Sequence, residues 1–289
     1  MTGWFGSPED AGERLAAAGY LTDDGIATTA FLGAALGKPL LAEGPAGVGK
    51  TQLAKAVAEA TGAELIRLQC YEGLDEARAL YEWNYKKQLL RIQASGEQGW
   101  ERTHDDIFSE EFLLERPLLR AIRRTGPAVL LIDEIDKADV EVEGLLLEIL
   151  SDYQVTIPEL GTIAATRRPY VVLTSNATRE LSEALKRRCL YLHLGYPTPE
   201  RERDIVLARV PGIGAALAEQ LARTVATLRA LELKKSPSIA ETIDWAETLL
   251  ALGHAELDAA VTSRTLGVVL KHASDQTRAE KELGLPARS

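Results

Sequence analysis

The fold of this chain is decided by the stretch Gly44-Pro45-Ala46-Gly47-Val48-Gly49-Lys50-Thr51. It matches the spacing GxxxxGK[ST], with an apolar run before it and a helical pattern after it. Glycines let such a loop curl tightly, so that its N–H groups point inward as a nest for anions, and the following helix adds its positive end. The stretch therefore predicts a phosphate-binding loop, in which Lys50 reaches the terminal phosphates of a nucleotide and the Thr51 hydroxyl binds Mg²⁺.

A second motif is the apolar run from Ala128 to Ile132, which ends in Asp133 and Glu134. Side chains alternate along a strand, so the two carboxylates are expected to point in different directions. We expect Asp133 to face Mg²⁺ through its water shell and Glu134 to polarise the attacking water. A strand that ends in a solvated acidic turn is the alternative, and the phosphate-binding loop upstream favours the catalytic interpretation.

Two further segments carry polar groups at the ends of elements. Asn176 directly follows the apolar run 170–175, where it can orient the attacking water, contact the γ-phosphate or start an ordinary turn. Arg187 and Arg188 end a helical segment just before another apolar run. They are either an arginine finger for the γ-phosphate of a neighbouring subunit or cations that suit the negative end of a helix.

Short apolar runs alternate with helical patterns from residue 39 to residue 194, which predicts a parallel sheet with helices on both faces. The candidate strands are Pro39–Glu43, Glu64–Gln69, Ala128–Asp133, Tyr170–Ser175 and Cys189–Leu194. After Tyr196-Pro197-Thr198-Pro199 the pattern is helical only, and Ser238 and Glu241 have the spacing of a capping box. We therefore place a domain boundary near residue 196.

The composition limits the class of protein. Of 289 residues, 43 are acidic and 33 are basic, so the formal net charge is -10, which argues against non-specific binding to nucleic acid or anionic membrane. Cys70 and Cys189 have neither metal-type nor disulfide spacing, and the four histidines are scattered. The start of the sequence lacks the pattern of a signal peptide, and no apolar run has the length of a membrane span. These features predict a cytoplasmic protein without membrane insertion.

The four motifs in this order, followed by a helical region, resemble the AAA+ ATPases over nearly the whole chain. Two insertions narrow the resemblance. Within residues 70–127, the segment at about 71–110 is similar to a helix-2 insert and contains the alternating run from Tyr81 to Tyr85. The segment at about 153–168 is similar to a pre-sensor hairpin. Together they resemble the MoxR family, and the stretch CYEGLDEARALYEWNY is similar to the MoxR branch that accompanies carbon monoxide dehydrogenase and other molybdenum hydroxylases.

The resemblance implies an α/β P-loop NTPase fold. Residues 1–196 would form a five-stranded parallel sheet between helices, and residues 197–289 a smaller all-helical lid domain. The cofactors would be ATP and Mg²⁺, with the protein assembled as a ring, usually a hexamer. The partners would be a protein with a von Willebrand A domain and a client metalloenzyme whose metal centre is being assembled.

By motif position, Arg188 best matches the family's finger, and Arg187 is second. The sequence departs from the family at Ser236-Pro237-Ser238, where an arginine often stands in the third position. Ser238 makes a good N-cap but cannot contact phosphate as an arginine would.

Two other classes of function stay open on the sequence. One is a nucleotide-dependent interaction switch with little turnover, against which the intact Glu134 argues. The other is a DNA-dependent AAA+ ATPase, against which the acidic charge argues. The aromatic residues Tyr81, Trp83 and Tyr85 either grip a client or form the core of a hairpin.

Overall fold

The computed structural model describes residues 4–95 and 106–286. The strands are β1 (Leu40–Glu43), β2 (Glu64–Gln69), β3 (Tyr81–Trp83), β4 (Leu113–Glu115), β5 (Ala128–Asp133), β6 (Gln154–Ile157), β7 (Gly161–Ala164), β8 (Tyr170–Ser175) and β9 (Leu190–His193). The helices are α1 (Pro8–Ala17), α2 (Asp24–Leu36), α3 (Lys50–Thr61), α4 (Glu76–Ala79), α5 (Tyr85–Ser95), α6 (Pro117–Arg123), α7 (Val140–Asp152), α8 (Glu183–Arg188), α9 (Pro199–Arg209), α10 (Ala215–Ala230), α11 (Ile239–Ala251), α12 (Ala259–Val269) and α13 (Ala273–Glu282).

A five-stranded parallel sheet forms the centre of the α/β part, in the order β2-β5-β8-β1-β9. This confirms the fold class predicted from the alternating pattern. Every residue of β5 and β8 is buried, because both strands lie inside the sheet and its faces are covered. The register of β2 and β5 sets Gln69 opposite Asp133, so the carboxyl ends of these strands bring polar side chains to the same edge.

The chain divides into two compact units. The first comprises residues 1–43 and 51–193, and the second comprises residues 44–50 and 194–289. The sequence placed the boundary near residue 196 and assigned the phosphate-binding loop to the first domain. The loop instead groups with the second unit because the backbone at Gly44 and Gly47 packs closely against Leu194 and Ser238.

The helical part of the second unit has its own core. Trp245 of α11 is fully buried there, and its indole N–H donates to the Thr265 hydroxyl at 2.8 Å. The capping box at the start of α11 is confirmed. The Ser238 hydroxyl accepts from the Glu241 N–H at 3.3 Å, and the Glu241 carboxylate accepts from the Ser238 N–H at 2.7 Å.

The first unit contains two antiparallel strand pairs outside the parallel sheet. β3 pairs with β4, with Trp83 opposite Leu113, and β6 pairs with β7, with Val155 opposite Ile163. The run from Tyr81 to Tyr85 is strand only as far as Trp83, because the Asn84 side chain accepts from the Lys87 N–H at 3.1 Å and begins α5. Residues 96–105 of the expected helix-2 insert lie outside the described residues.

The last helix, α13, ends at Glu282, and residues 287–289 lie outside the described residues. In the part of the chain that the structure describes, no helix is both long enough and apolar enough to cross a bilayer.

Candidate nucleotide-binding site

The phosphate-binding loop has backbone geometry that only glycine fits. A Cβ atom on Gly44 would lie 1.9 Å from the Leu194 carbonyl oxygen. Gly47 has φ +73°, and a Cβ there would lie 2.4 Å from the Cβ atom of Ser238. The glycines that the sequence singled out are therefore required both for the tight curl and for close packing in the second unit.

Lys50 is folded back over this loop. Its ammonium donates to the Gly44 carbonyl at 2.7 Å and to the Pro45 carbonyl at 2.6 Å, and the residue is only 6% exposed. A phosphate oxygen attracts this ammonium more strongly than a neutral carbonyl oxygen does, because the phosphate carries a negative charge. The ammonium of Lys50 thus lies beside the loop, where the sequence expects an anion to bind.

Asp133 lies in the first unit, at the carboxyl end of β5, and is almost fully buried. Its Oδ1 atom accepts from the Thr51 hydroxyl at 2.9 Å and from the Thr174 hydroxyl at 2.6 Å. Its Oδ2 atom accepts from the Arg67 guanidinium at 2.6 Å. Thr51 and Asp133, which the sequence predicted as magnesium ligands, are therefore direct neighbours.

The donor set fits Mg²⁺, which prefers carboxylate and hydroxyl oxygens and keeps several waters. Over residues 4–95 and 106–286 there is no group of three or more His, Cys, Asp or Glu side chains that could hold a metal ion.

Glu134 leaves the strand in a left-handed conformation, with φ 58° and ψ 49°. Its N–H donates to the Thr174 hydroxyl at 2.9 Å. Its Oε2 atom accepts from the Gln69 amide at 3.1 Å and from the Lys137 ammonium at 2.6 Å. A non-glycine residue in this region costs about 1–3 kcal/mol and persists where its surroundings fix it, which is typical of functional positions.

Thr174 was not singled out from the sequence, yet it connects the two carboxylates. Its hydroxyl donates to Asp133 and accepts from the backbone of Glu134, and the residue is 1% exposed. The available signal was a hydroxyl near the end of an otherwise apolar strand. The role of this hydroxyl follows only from the order of the strands in the sheet, which the sequence motifs do not specify.

Asn176 follows β8 directly, in a turn fixed by Asp136. The Asp136 carboxylate accepts from the Thr178 hydroxyl at 2.6 Å and from the Thr178 N–H at 3.0 Å, while Ala177 has φ 56°. Burial by itself would raise the pKa of Asp136, but hydrogen bonds from Thr178 and from the backbone at Asn176 outweigh it and hold the pKa below its ordinary value. Asp136 thereby ties the segment after Glu134 to the segment that carries Asn176.

Arg187 and Arg188, the two finger candidates, end α8 and are both exposed. Arg188 donates to the Ser151 hydroxyl at 2.7 Å and to the Ala184 carbonyl at 3.0 Å. Arg187 makes no hydrogen bond or ion pair with the part of the chain that the structure describes. Arg187 is thus free to extend outward, whereas Arg188 must first leave two neutral partners.

The turn at Ser238 carries no arginine, and the cations beside it are already paired. Lys235 donates to Glu241 at 2.8 Å. Arg229 donates to the Pro237 carbonyl at 2.8 Å and forms two hydrogen bonds with the buried Glu202. Neither side chain replaces the missing arginine without breaking an ion pair.

Cys70 follows β2 but does not serve as a nucleophile here. Burial, together with the negative charges of Asp133, Asp136 and Glu134, raises the pKa of its thiol to about 12. The thiol therefore stays protonated near neutral pH and lacks nucleophilic character.

The aromatic residues of the insert divide between the two roles considered for them. Trp83 is 7% exposed and packs edge-on against Tyr81 and Phe108, so it is part of the core. Tyr85 is 62% exposed, as are its helix neighbours Leu89 at 60% and Leu90 at 67%. Of the three aromatic residues considered from the sequence, Tyr85 has the most exposed side chain and is placed where an external partner could contact it.

The fold and the two motifs define a P-loop nucleotide-binding protein of the α/β class. Residues 39–189, slightly more than half of the chain, match the family model described as AAA domain (dynein-related subfamily). The chain therefore belongs to this AAA domain family.

Curated relatives share about a third of the residues over part of their length. The chain is 30% identical over 193 residues to "Chaperone protein ClpB 2" of Thermosynechococcus vestitus, an alignment that covers 62% of this chain and 20% of that protein. It is 30% identical over 173 residues to an uncharacterised protein of Staphylococcus aureus, with 56% of this chain and 57% of that protein covered. The aligned region thus spans a fifth of the first relative and little more than half of the second.

Among solved structures, two RuvB variants of Thermotoga maritima share the fold. One aligns with a TM-score of 0.51 at 16% identity, over 97% of this chain and 83% of the RuvB chain. The other gives a TM-score of 0.52 at 17% identity, over 99% and 87%. At this level of identity the likeness concerns the fold alone.

Proposed function

We propose that this protein is an ATP-hydrolysing AAA+ chaperone of the MoxR type. The observation that carries the proposal is the continuous hydrogen-bonded chain from Thr51 through Asp133 and Thr174 to Glu134. The chain connects Thr51 of the phosphate-binding loop motif to the buried carboxylate of Asp133 and to Glu134, whose carboxylate points elsewhere. Phosphoryl transfer to water needs groups of these kinds, to hold the metal ion and to orient the attacking water.

Each residue has a defined role in this proposal. The N–H groups of residues 44–50 and the ammonium of Lys50 hold the phosphates of ATP. Thr51 and Asp133 hold Mg²⁺, which neutralises the charge on the phosphate oxygens when it is bound. Glu134 accepts a proton from the attacking water, and Asn176 orients that water.

In this proposal the protein assists the maturation of a client metalloenzyme. It acts as a hexameric ring, and its partner is a protein with a von Willebrand A domain. Two observations support it. The first unit contains two antiparallel strand pairs outside the parallel sheet: β3 pairs with β4, and β6 and β7 form a pair within the segment compared with a pre-sensor hairpin. Two of the relatives are named chaperone protein ClpB 2.

The experiment that tests the proposal is ATP turnover per subunit as a function of protein concentration, for wild type and for Glu134→Gln. We expect wild-type turnover per subunit to rise with concentration as shared active sites assemble, and the variant to bind ATP without cleaving it. Lys50→Ala is the control that should lose nucleotide binding. Unchanged turnover in Glu134→Gln would show that another residue is the base.

The finger is tested by mixing subunits. We expect Arg188→Ala to lose hydrolysis while it keeps most nucleotide binding, and mixtures with Glu134→Gln subunits to regain part of the activity if the arginine acts on a neighbouring subunit. Arg187→Ala is the matched comparison, because the two arginines are adjacent and both exposed. If only Arg187→Ala shows this behaviour, Arg187 is the finger.

A second candidate function is a nucleotide-dependent switch with little turnover. The observation that favours it is that the Glu134 carboxylate already accepts hydrogen bonds from Gln69 and Lys137. A carboxylate engaged by two side chains of the protein is less available to accept a proton from water. ATP-bound assemblies with negligible hydrolysis at every protein concentration would support the switch. Stimulation of turnover by DNA would instead favour the DNA-dependent class, against which the net charge of -10 argues.

A further inference from the structure

Arg67 is a cation that no motif of the sequence singled out. It lies on β2, two residues before Gln69 and therefore on the same face of the strand. Its guanidinium donates to the Oδ2 atom of Asp133 at 2.6 Å and also to the side-chain oxygen of Gln69. Gln69 in turn donates to Glu134, so Arg67 is connected to both carboxylates of the site.

Asp133 has both of its carboxylate oxygens engaged. The two threonine hydroxyls occupy Oδ1, and Arg67 occupies Oδ2. The Asp133 side chain is 3% exposed, whereas the Arg67 side chain is 49% exposed. The buried charge is thus balanced by a long side chain that reaches in from the surface.

A hydrated Mg²⁺ ion and a guanidinium can compensate the charge of this carboxylate in the same way. Both are cations, and both the waters of the ion and the N–H groups of the guanidinium can donate hydrogen bonds to its oxygens. Mg²⁺ dehydrates reluctantly, so its waters need a free carboxylate oxygen to bond to. The threonine hydroxyls are short and fixed by the backbone, while Arg67 can swing into solvent at low cost because it is half exposed. Arg67 is therefore the partner of Asp133 that can leave.

We propose that Arg67 is a positioning residue that holds Asp133 in place of the cation and yields it when Mg²⁺ binds, so that Arg67 sets the Mg²⁺ concentration at which nucleotide is retained. The inference rests on the proposed ATP site and concerns a residue outside its motifs. Because the guanidinium competes with Mg²⁺ for the Asp133 carboxylate, its removal should let the site reach the same Mg²⁺ occupancy at a lower Mg²⁺ concentration.

The test is the affinity of full-length protein for a fluorescent ADP analogue, titrated over a range of free Mg²⁺ and also in EDTA. In Arg67→Gln we expect the half-saturating Mg²⁺ concentration to fall about two- to fivefold, the scale of a half-exposed ion pair, while the affinity in EDTA stays unchanged. Arg124→Gln is the matched control. Arg124 is 48% exposed and pairs with Glu64 of the same strand at 3.0 Å, away from Asp133.

Three results would overturn the proposal: an unchanged Mg²⁺ requirement, a higher one, or an equal loss of affinity with and without Mg²⁺. The last would make Arg67 a nucleotide contact. Arg67→Lys keeps the charge and should stay near wild type, and melting temperatures should show that the variants fold. If wild type and Arg67→Gln both bind nucleotide without a shift in Mg²⁺ dependence, only this inference fails, whereas wild type that binds no nucleotide would remove the proposed function itself.

Discussion

The two units each bury a carboxylate, and they compensate its charge in opposite ways. In the first unit, Asp133 is paired with the half-exposed Arg67 and with two hydroxyls. In the second, Glu202 is fully buried and bound at both oxygens by Arg229, whose side chain is only 9% exposed, while Thr242 donates to it at 2.7 Å. Both arrangements satisfy a buried charge, but only the first has a partner with access to solvent.

The difference separates a binding group from a structural one. Arg229 joins α9 to α10 through Glu202, lies over the Tyr196 ring at 4.4 Å and binds the Pro237 carbonyl ahead of Ser238. Nothing from outside can replace it without a large cost, because an uncompensated buried charge would remain. Asp133, in contrast, has one partner that reaches it from the solvent side, Arg67, and we propose that this partner is exchanged for a cation.

The largest expected effect is on stability and comes from breaking the buried ion pair between Arg229 and Glu202. Arg229→Met leaves Glu202 buried and unpaired, so we expect a loss of about 3–5 kcal/mol in the free energy of unfolding. Urea denaturation, combined with hydrogen exchange in residues 199–282, measures the loss and locates it in the second unit. The double variant Glu202→Leu with Arg229→Met should recover most of the stability. If the single variant is as stable as wild type, the pair is not a structural element.

The next effect is on binding rather than on folding. Asp133→Asn removes the negative charge that holds the cation, so we expect nucleotide affinity in Mg²⁺ to fall about 100-fold, or about 2.7 kcal/mol. Affinity in EDTA should change little. Calorimetry with ADP in both buffers checks this, with Asp152→Asn as the control because Asp152 is exposed. Equal weakening in both buffers would remove Asp133 from the cation site.

The site and the core also differ in how much of each could be predicted from the sequence. The phosphate-binding loop, Asp133 and Glu134 were predicted because their chemistry depends on local spacing, and the central strands were predicted because both faces of each are buried. Arg67 and Thr174 were missed because their role depends on the strand order β2-β5-β8, which brings side chains about 40 to 65 residues apart in sequence into contact. The grouping of the loop with the second unit was missed because it depends on the packing of Gly47 against Ser238.

A smaller effect is expected where one hydroxyl serves both carboxylates. Thr174→Val keeps the shape of the side chain and leaves the Glu134 N–H without its acceptor, so stability should fall by about 1–2 kcal/mol. ATP turnover should fall more than nucleotide affinity, since Glu134 loses its backbone anchor. Thr156→Val in β6 is the control, because Thr156 is exposed and, among the described residues, its hydroxyl forms a hydrogen bond with Thr162 alone. A variant with normal turnover would show that Thr174 does not position Glu134.

The smallest expected effect is the acid dependence contributed by Asp136. Its folded pKa lies below the ordinary value of 3.8, because the hydrogen bonds from Thr178 and the Asn176 backbone outweigh the effect of burial. The stability it contributes is therefore fully present above pH 3.8 and is lost as the pH falls through the folded pKa. Asp136→Asn should cost about 1 kcal/mol near neutral pH, with a difference from wild type that narrows below about pH 4. Urea unfolding from pH 3 to pH 7 measures this, and a gap that stays constant with pH would show that the charge of Asp136 does not hold the Asn176 turn.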